Sequence, residues 1–546
     1  MVTPDLVDHT LGFGEFVLAS GKAYTVGTTN VSASAPVAKE FTTILGRTFL
    51  IESVECRSIQ RGLNTLPRQN GQVVKFNARP SKIGYASIPK AGTLQKSAAF
   101  KVSRQMTLAV AKRAGVVIDY IGTIGGTLDS SYVFKGDTTY FVSGSVSCPG
   151  SVTIEGNAVF KYVPGASIEI ESSLTCQTAN YRPAIFTAAD DNSVGDTIST
   201  NIWAGYTGTV QSGGYANPAL LFDSAPGTAI LSNLRFSYAQ QGVCIGTVGG
   251  GSSMTIVHSQ FINCVEGIAL AVGSEATITA YDCLFANNGN VIMDDAGEDT
   301  YYLSSCTVDN SSQPVSNTDG NSLYATNSVF SNIGDWVDLS LGGSYNGFYN
   351  SPQFGDNQFS SGFPFKVVAA GNYYLTNGSA FRGVGTTPLD SSLQARTTYP
   401  PAVYSNTIAS TNIALATQVQ RDTGSYPDLG YHYDPIDYLV DLFTITNATI
   451  TVTNGVAIAC YNDSGVVLKD GASINMTGTP LAPNWFVRFS SVQEQSLSLG
   501  AHGPSLGISV NPSPSGSLGP YGQYRFTKFA CPAGGGYHLY DSGSQS

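Results

Sequence analysis

The stretch that decides the fold is 230–340, and within it five pieces: LRFSYAQQGV (234–243), SQFINCVEGI (259–268), CLFANNGNV (283–291), CTVDNSSQPV (306–315) and SVFSNIGDWV (328–337). Their apolar anchors are Phe236, Phe261, Phe285, Val308 and Phe330, spaced 25, 24, 23 and 22 residues apart. A second apolar residue follows each anchor by six or seven places: Val243, Ile268, Val291, Val315 and Val337. Two places after four consecutive anchors stands an asparagine: Asn263, Asn287, Asn310 and Asn332. Cys283 and Cys306 each precede an anchor by two. A period in the twenties carried by short β-prone runs is a solenoid signature, in which each coil stacks its inward side chains on those of the next. Rungs about 4.8 Å apart would set Phe261, Phe285 and Phe330 in one column and Cys283 over Cys306 as small core filler. The corner asparagines would form a ladder, each amide donating to its neighbour.

A leucine-rich repeat would show dominant Leu, and a propeller a period of 40 or more. The register instead resembles the right-handed parallel β-helix of the pectin-lyase-like superfamily. The resemblance is strongest over 230–340 and extends through TTYFVSGSVSCPGSVTIEGNAVFKYVPGASIEI (138–170) to PDLGYHYDPIDYL (427–439). The texture is also similar to large secreted or surface β-helix proteins of environmental bacteria. The fold class expected is therefore all-β, a right-handed parallel β-helix of about 22–25 residues per turn with β-rich flanking regions.

Working outward, residues 1–115 hold 15 of the 27 Lys and Arg but only 6 of the 38 Asp and Glu, and they lack the repeat. They read as a basic β-rich N-terminal domain that caps the first coil, since an open solenoid end exposes unpaired strands. Residues 116–437 read as the β-helix, with long loops over 340–435. Residues 438–546 open with alternating strand pattern broken by Asn-Gly and Asp-Gly turns, either a last stretch of solenoid or a β-sandwich. The tail from 497 is Gly/Pro/Ser-rich and reads as loosely structured.

Composition narrows the function classes. Charged residues are 12% of the chain, the net charge is −11, and no Lys or Arg occurs between Arg235 and Lys366. A surface without cations does not hold phosphates, so nucleic acid is not an expected partner. No apolar run reaches membrane-spanning length. The nine cysteines form no CxxC pair, which argues against a zinc site and against a full disulfide framework. The Ser/Thr/Asn/Gly-rich composition points to an extracellular or cell-surface protein, and no signal peptide is visible in residues 1–20.

The superfamily resemblance implies polysaccharide chemistry, which has requirements. A uronate lyase needs a basic residue, and 236–365 supplies none beyond His258. An inverting glycosidase needs paired carboxylates on neighbouring turns. Asp294-Asp295 and Asn317-Thr318-Asp319 resemble the DD and NTD motifs of polygalacturonases, in reversed order and without that family's later GHG and RIK elements. Asp294, Asp295 and Asp319 are the catalytic candidates. Counted from the anchors, Asp294, Asp295, Glu298, Asp299, Asp319, Asp335 and Asp338 fall at neighbouring heights and would form an acidic strip; such carboxylates would take calcium. No other cofactor is required. Tyr301, Tyr302, Tyr324, Trp336, Tyr345 and Tyr349 crowd the same third of the chain and are candidates for stacking on sugar rings. Gly503-Pro504-Ser505-Leu506-Gly507 matches GxSxG, but the Pro and Gly that follow exclude the helix a nucleophile elbow needs.

The expectation is a secreted or surface β-helix protein with a structural, adhesive or glycan-binding role. The alternative is a carbohydrate-active hydrolase using Asp residues on adjacent turns. Its expected partner is a polysaccharide or cell-envelope glycan, and the chain fits a piece of a larger surface protein or assembly.

Overall fold

The computed structural model describes the backbone of the strands within 11–53 and residues 121–541, apart from 129–130, 137, 212–213, 223–227, 247–251, 272–275, 295–297, 317–319, 387–390, 423–425, 463, 498–505, 511–518 and 531–536. Ile118–Ser546 make one compact unit and Pro4–Val117 another. In the second of these, three antiparallel pairs are described: Leu11–Phe13 with Phe16–Leu18, Tyr24–Val26 with Thr29–Val31, and Ala38–Ile44 with Arg47–Ser53.

The larger unit is built from two parallel β-helices. Each coil of the first contributes three short strands to three sheets. One coil reads Thr228–Ser232, Leu234–Ser237, Gln241–Ile245; the next begins at Ser252–Val257. Every pairing between coils is parallel and in register. The anchors form the expected column: Phe236 pairs with Phe261, Phe261 with Phe285, Phe285 with Val308, Val308 with Phe330 and Phe330 with Phe348. The stack starts earlier than the repeat suggested. Ring centroids step 5.2, 4.6, 4.7, 4.8 and 5.1 Å through Tyr140, Phe160, Phe186, Phe236, Phe261 and Phe285. The rings lie nearly parallel because successive rungs repeat the same rotamer one strand spacing apart.

The second column needs correction. Val243, Ile268, Ile292 and Val315 are in register, so Ile292 rather than Val291 fills that position. Val337 is exposed and belongs to no rung. The chain instead closes the first core with Trp336 and Phe354, both packed on Phe330.

Two corners turn each coil with a single left-handed residue. Between the second and third sheets stand Tyr238, Asn263, Asn287, Asn310, Asn332 and Asn350, with φ from 47° to 60°. Left-handed backbone costs most residues 1–2 kcal/mol, and Asn is among the few that accept it. The asparagine ladder forms in part. Asn310 donates to Asn287 at 2.8 Å and Asn350 to Asn332 at 3.1 Å, whereas Asn332 turns to Asp309 at 3.0 Å. Asn287→Ala should therefore cost roughly 1–2 kcal/mol in a urea midpoint, and Asn287→Gly much less, since Gly accepts the same φ freely. Between the first and second sheets the corner residues are Asn233, His258, Asp282, Ser305, Asn327 and Tyr345, also at positive φ. Just inside that corner Cys283 and Cys306 stack as free, fully buried thiols.

Residues 402–541 form a second three-sheet parallel β-helix, which decides against a β-sandwich. Its first rung is Ala402–Ser405, so Tyr438–Asp441 is its second rung and not the start of a region. The tail beyond 497 is not loose throughout: Leu506–Val510, Tyr521–Arg525, Thr527–Ala530 and Tyr537–Asp541 are rungs of that stack. Long irregular insertions between rungs had hidden its period. Its core holds Tyr438, Ile458 and Phe486 above one another, with Ile445 over Leu468 and Ile450 over Ile474.

The described residues of 361–401 and 416–437, on either side of the first rung of the second stack, are a strap between the two stacks rather than loops on the last coils. Its Phe365, Tyr373, Tyr374, Phe381, Leu429, Tyr431 and Tyr433 share one apolar cluster with Ile262, Leu284 and Val329 of the first stack and with Leu439, Ala457, Ala459 and Val487 of the second. The outer face of one sheet from each stack is thereby covered.

Candidate functional site

The aromatic candidates divide by strand parity. Thr300–Ser304 and Ser322–Thr326 are neighbouring rungs of the first sheet, and alternate residues face opposite sides. Tyr301 points into the coil and is fully buried, so it is not available to a ligand. Tyr302 and Tyr324, 44% and 43% exposed, point out. Their rings stack with centroids 5.5 Å apart at 19°. Below them Gly342 leaves room: a Cβ there would meet the Tyr324 ring at 2.7 Å. Beside the pair run the in-register hydroxyl residues Ser253, Thr277, Thr300, Ser322 and Ser340, and above it Thr255 and Thr279. The result is a two-ring platform on a hydroxyl-lined sheet face. The remaining aromatic candidates lie elsewhere. Trp336 is partly buried in the core closure, its indole N–H donating to Pro352 O at 3.1 Å. Tyr345 sits at a corner beside Phe359, and Tyr349 packs edge-on against the exposed Phe363.

The acidic strip does not present one face. Asp294 is buried, and its carboxylate accepts hydrogen bonds from the Tyr301 hydroxyl and the Asn321 amide. Those bonds hold the Tyr301 hydroxyl in its protonated form, its pKa raised by burial and by Asp294. Asp299 is buried too, accepts from the Ala276 N–H, and donates its own N–H to Asn321 at 2.7 Å. Both carboxylates therefore serve the coil interior, whereas Glu298, Asp335 and Asp338 face solvent. Asp295 and Asp319, with Asn317 and Thr318, lie outside the described residues, as does Ser505 of the GxSxG match. Among the described residues no three His, Cys, Asp or Glu side chains converge to hold a metal ion. No helix among them is long and apolar enough to cross a membrane.

Sequence reading missed the polar junction under the strap. The corner residues of the first stack are its docking points. Asp282 accepts the His432 N–H at 2.6 Å and bonds His258 Nδ1 at 2.7 Å. Asn327 exchanges two hydrogen bonds with Thr386, and Asn233 accepts from Arg396 at 3.2 Å. Asn233, His258 and Asp282 at one-coil intervals, and Asn327 two coils further on, were visible in sequence, but their partners lie up to 163 residues away. Beside the junction a half-open cleft of about 30 Å³ is lined by Arg235, Gln260, Ser490 and Glu494. That is room for roughly two waters and too little for a sugar ring. Burial pushes the Glu494 carboxyl up to about 7, against the hydrogen bonds it accepts from Asn372 and Tyr433.

No protein-family model, curated protein or solved structure matches the chain, so the architecture and these two surfaces carry the functional reading.

Proposed function

We propose that this is an extracellular or cell-surface β-helix protein that binds a glycan chain on the outer face of its first sheet. The observation that carries the reading is the exposed, stacked pair Tyr302–Tyr324. Aromatic rings stack on the apolar faces of sugars, and the flanking Ser and Thr columns supply hydroxyl donors and acceptors for the sugar edge. A neutral face suits a neutral glycan. Binding rather than cleavage is favoured because Asp294 is committed to Tyr301 and Asn321 inside the coil. On architecture, the three-sheet coil supports placing the chain beside the pectin-lyase-like β-helices.

A glycan array followed by titration of the bound oligosaccharide tests the reading. Tyr302→Ala and Tyr324→Ala should each weaken binding up to about tenfold, the worth of one aromatic stacking contact. Gly342→Ala should weaken it as well by tilting the Tyr324 ring. Equal binding by all three variants would move the site elsewhere, and release of reducing ends would establish the hydrolase instead.

A further inference from the structure

The junction under the strap buries more carboxylates than guanidinium groups bonded to them. Asp282, Asp422, Asp428 and Asp434 are buried there, each exposed by 7% or less. The guanidinium groups facing them are Arg396, bonded to Asp434 at 3.1 Å and near Asp282 at 3.6 Å, and Arg382, bonded to Asp428 at 2.6 Å. Four carboxylates face two directly bonded guanidinium groups, with Arg235 within electrostatic reach of Asp434, and two histidines sit among them. His258 faces Asp282 through Nδ1 and Ser392 through Nε2. His432 is fully buried, with Nδ1 2.8 Å from the Gly430 carbonyl and Nε2 2.9 Å from Asp422. A carbonyl and a carboxylate only accept, so both His432 nitrogens must donate, which makes it an imidazolium. The neighbouring Tyr431 hydroxyl stays neutral, its pKa raised by burial.

We propose that the strap is a proton-operated clasp: it is closed on the corner residues of the first stack while His432 is an imidazolium, and it loosens when that proton is lost. The clasp uncovers the apolar face made by Ile262, Leu284 and Val329. Burial alone would lower the His432 pKa, but the Asp422 hydrogen bond and the charges of Asp282, Asp422 and Asp428 outweigh it and raise the value. A raised folded-state pKa stabilises fully below the unfolded value of about 6.5 and stops stabilising as pH climbs through the folded one. The clasp is therefore tight in acid and weak in alkali. Glu494 titrates with the same sign, but its contribution fades between its unfolded 4.5 and about 7, so the window above pH 7 belongs to the histidine.

Hydrogen exchange of the whole protein, normalised to the intrinsic rate at each pH, tests this. The reporters are the backbone amides of Gly430 and His432, which cross from the strap to the first stack and bond the Asn327 carbonyl at 2.8 Å and Asp282 at 2.6 Å. Their protection should fall by up to about tenfold per pH unit between the open-state value of about 6.5 and the raised folded-state pKa of His432, and level off above it. His432→Gln should show the high-pH exchange rate at every pH. Asp422→Asn removes one negative charge and should keep the strap protected in alkali. Pulses on the wild-type protein give the answer even where a variant does not fold. Constant protection between pH 7 and 9, or a wild-type profile in His432→Gln, overturns the clasp.

Discussion

Phe261→Ala lowers the unfolding free energy of the first stack by about 4 kcal/mol, the middle of the range for an aromatic core truncation. The ring is fully buried between Phe236 at 4.8 Å and Phe285 at 5.1 Å. Its edge packs on Gly242, where an added Cβ would lie 3.0 Å from Phe261 Cδ1 and 2.6 Å from the Gly267 carbonyl. Neither glycine has a side chain that could fall into the hole, and the rungs above and below are fixed by their hydrogen bonds. The cavity therefore persists, and the loss includes the cavity cost as well as the transfer cost. Phe261→Leu keeps most of the volume and should cost less than half as much. The check is chemical denaturation followed by a probe specific to the first stack, because a protein of two stacks need not unfold in one step. A loss below about 1 kcal/mol would mean that the column relaxes, contrary to the packing described.

Arg396→Met is expected to cost about 4 kcal/mol, as breaking a buried ion pair from one side does. The guanidinium reaches Asp282 and Asn233 on the first stack and Asp434 and the His432 carbonyl on the strap. Met preserves the stem but leaves buried carboxylates facing one guanidinium fewer. Adding Asp434→Asn should restore part of the loss, so the double variant is less destabilised than the sum of the singles. The contrast is the half-exposed Lys135–Glu155 pair at 3.0 Å, whose removal should cost less than about 1 kcal/mol. Thermal melts of Arg396→Met, Asp434→Asn, the double variant and Lys135→Met separate these outcomes. Equal shifts for Arg396→Met and Lys135→Met would show that the junction is solvated.

Particular residues show what was legible. The Phe column, the Cys283–Cys306 stack and the corner asparagines could be read because a solenoid repeats its local environment every coil, whereas their left-handed backbone came from the structure. The same periodicity left the phase of single strands open. Tyr301 and Tyr302 look alike in sequence, and one residue of register decides which is core and which is platform. Ile292 displaced Val291 for the same reason. The second stack is legible only as one of two alternatives, a last stretch of solenoid or a β-sandwich, because insertions such as that between Arg488 and Leu506 break its period while leaving its strand pairing intact.

The amino-acid sequence by itself determined the coil: its period, its stacked core and its corners, since each rung is specified by contacts with the rung beside it, about 4.8 Å away. Only the tertiary structure decided which faces meet. The strap joins Asp282 to His432 across 150 residues, and Tyr181 to Asp434 across 253. Burying charges is favourable only where opposite charges converge from remote segments, so no local pattern records it.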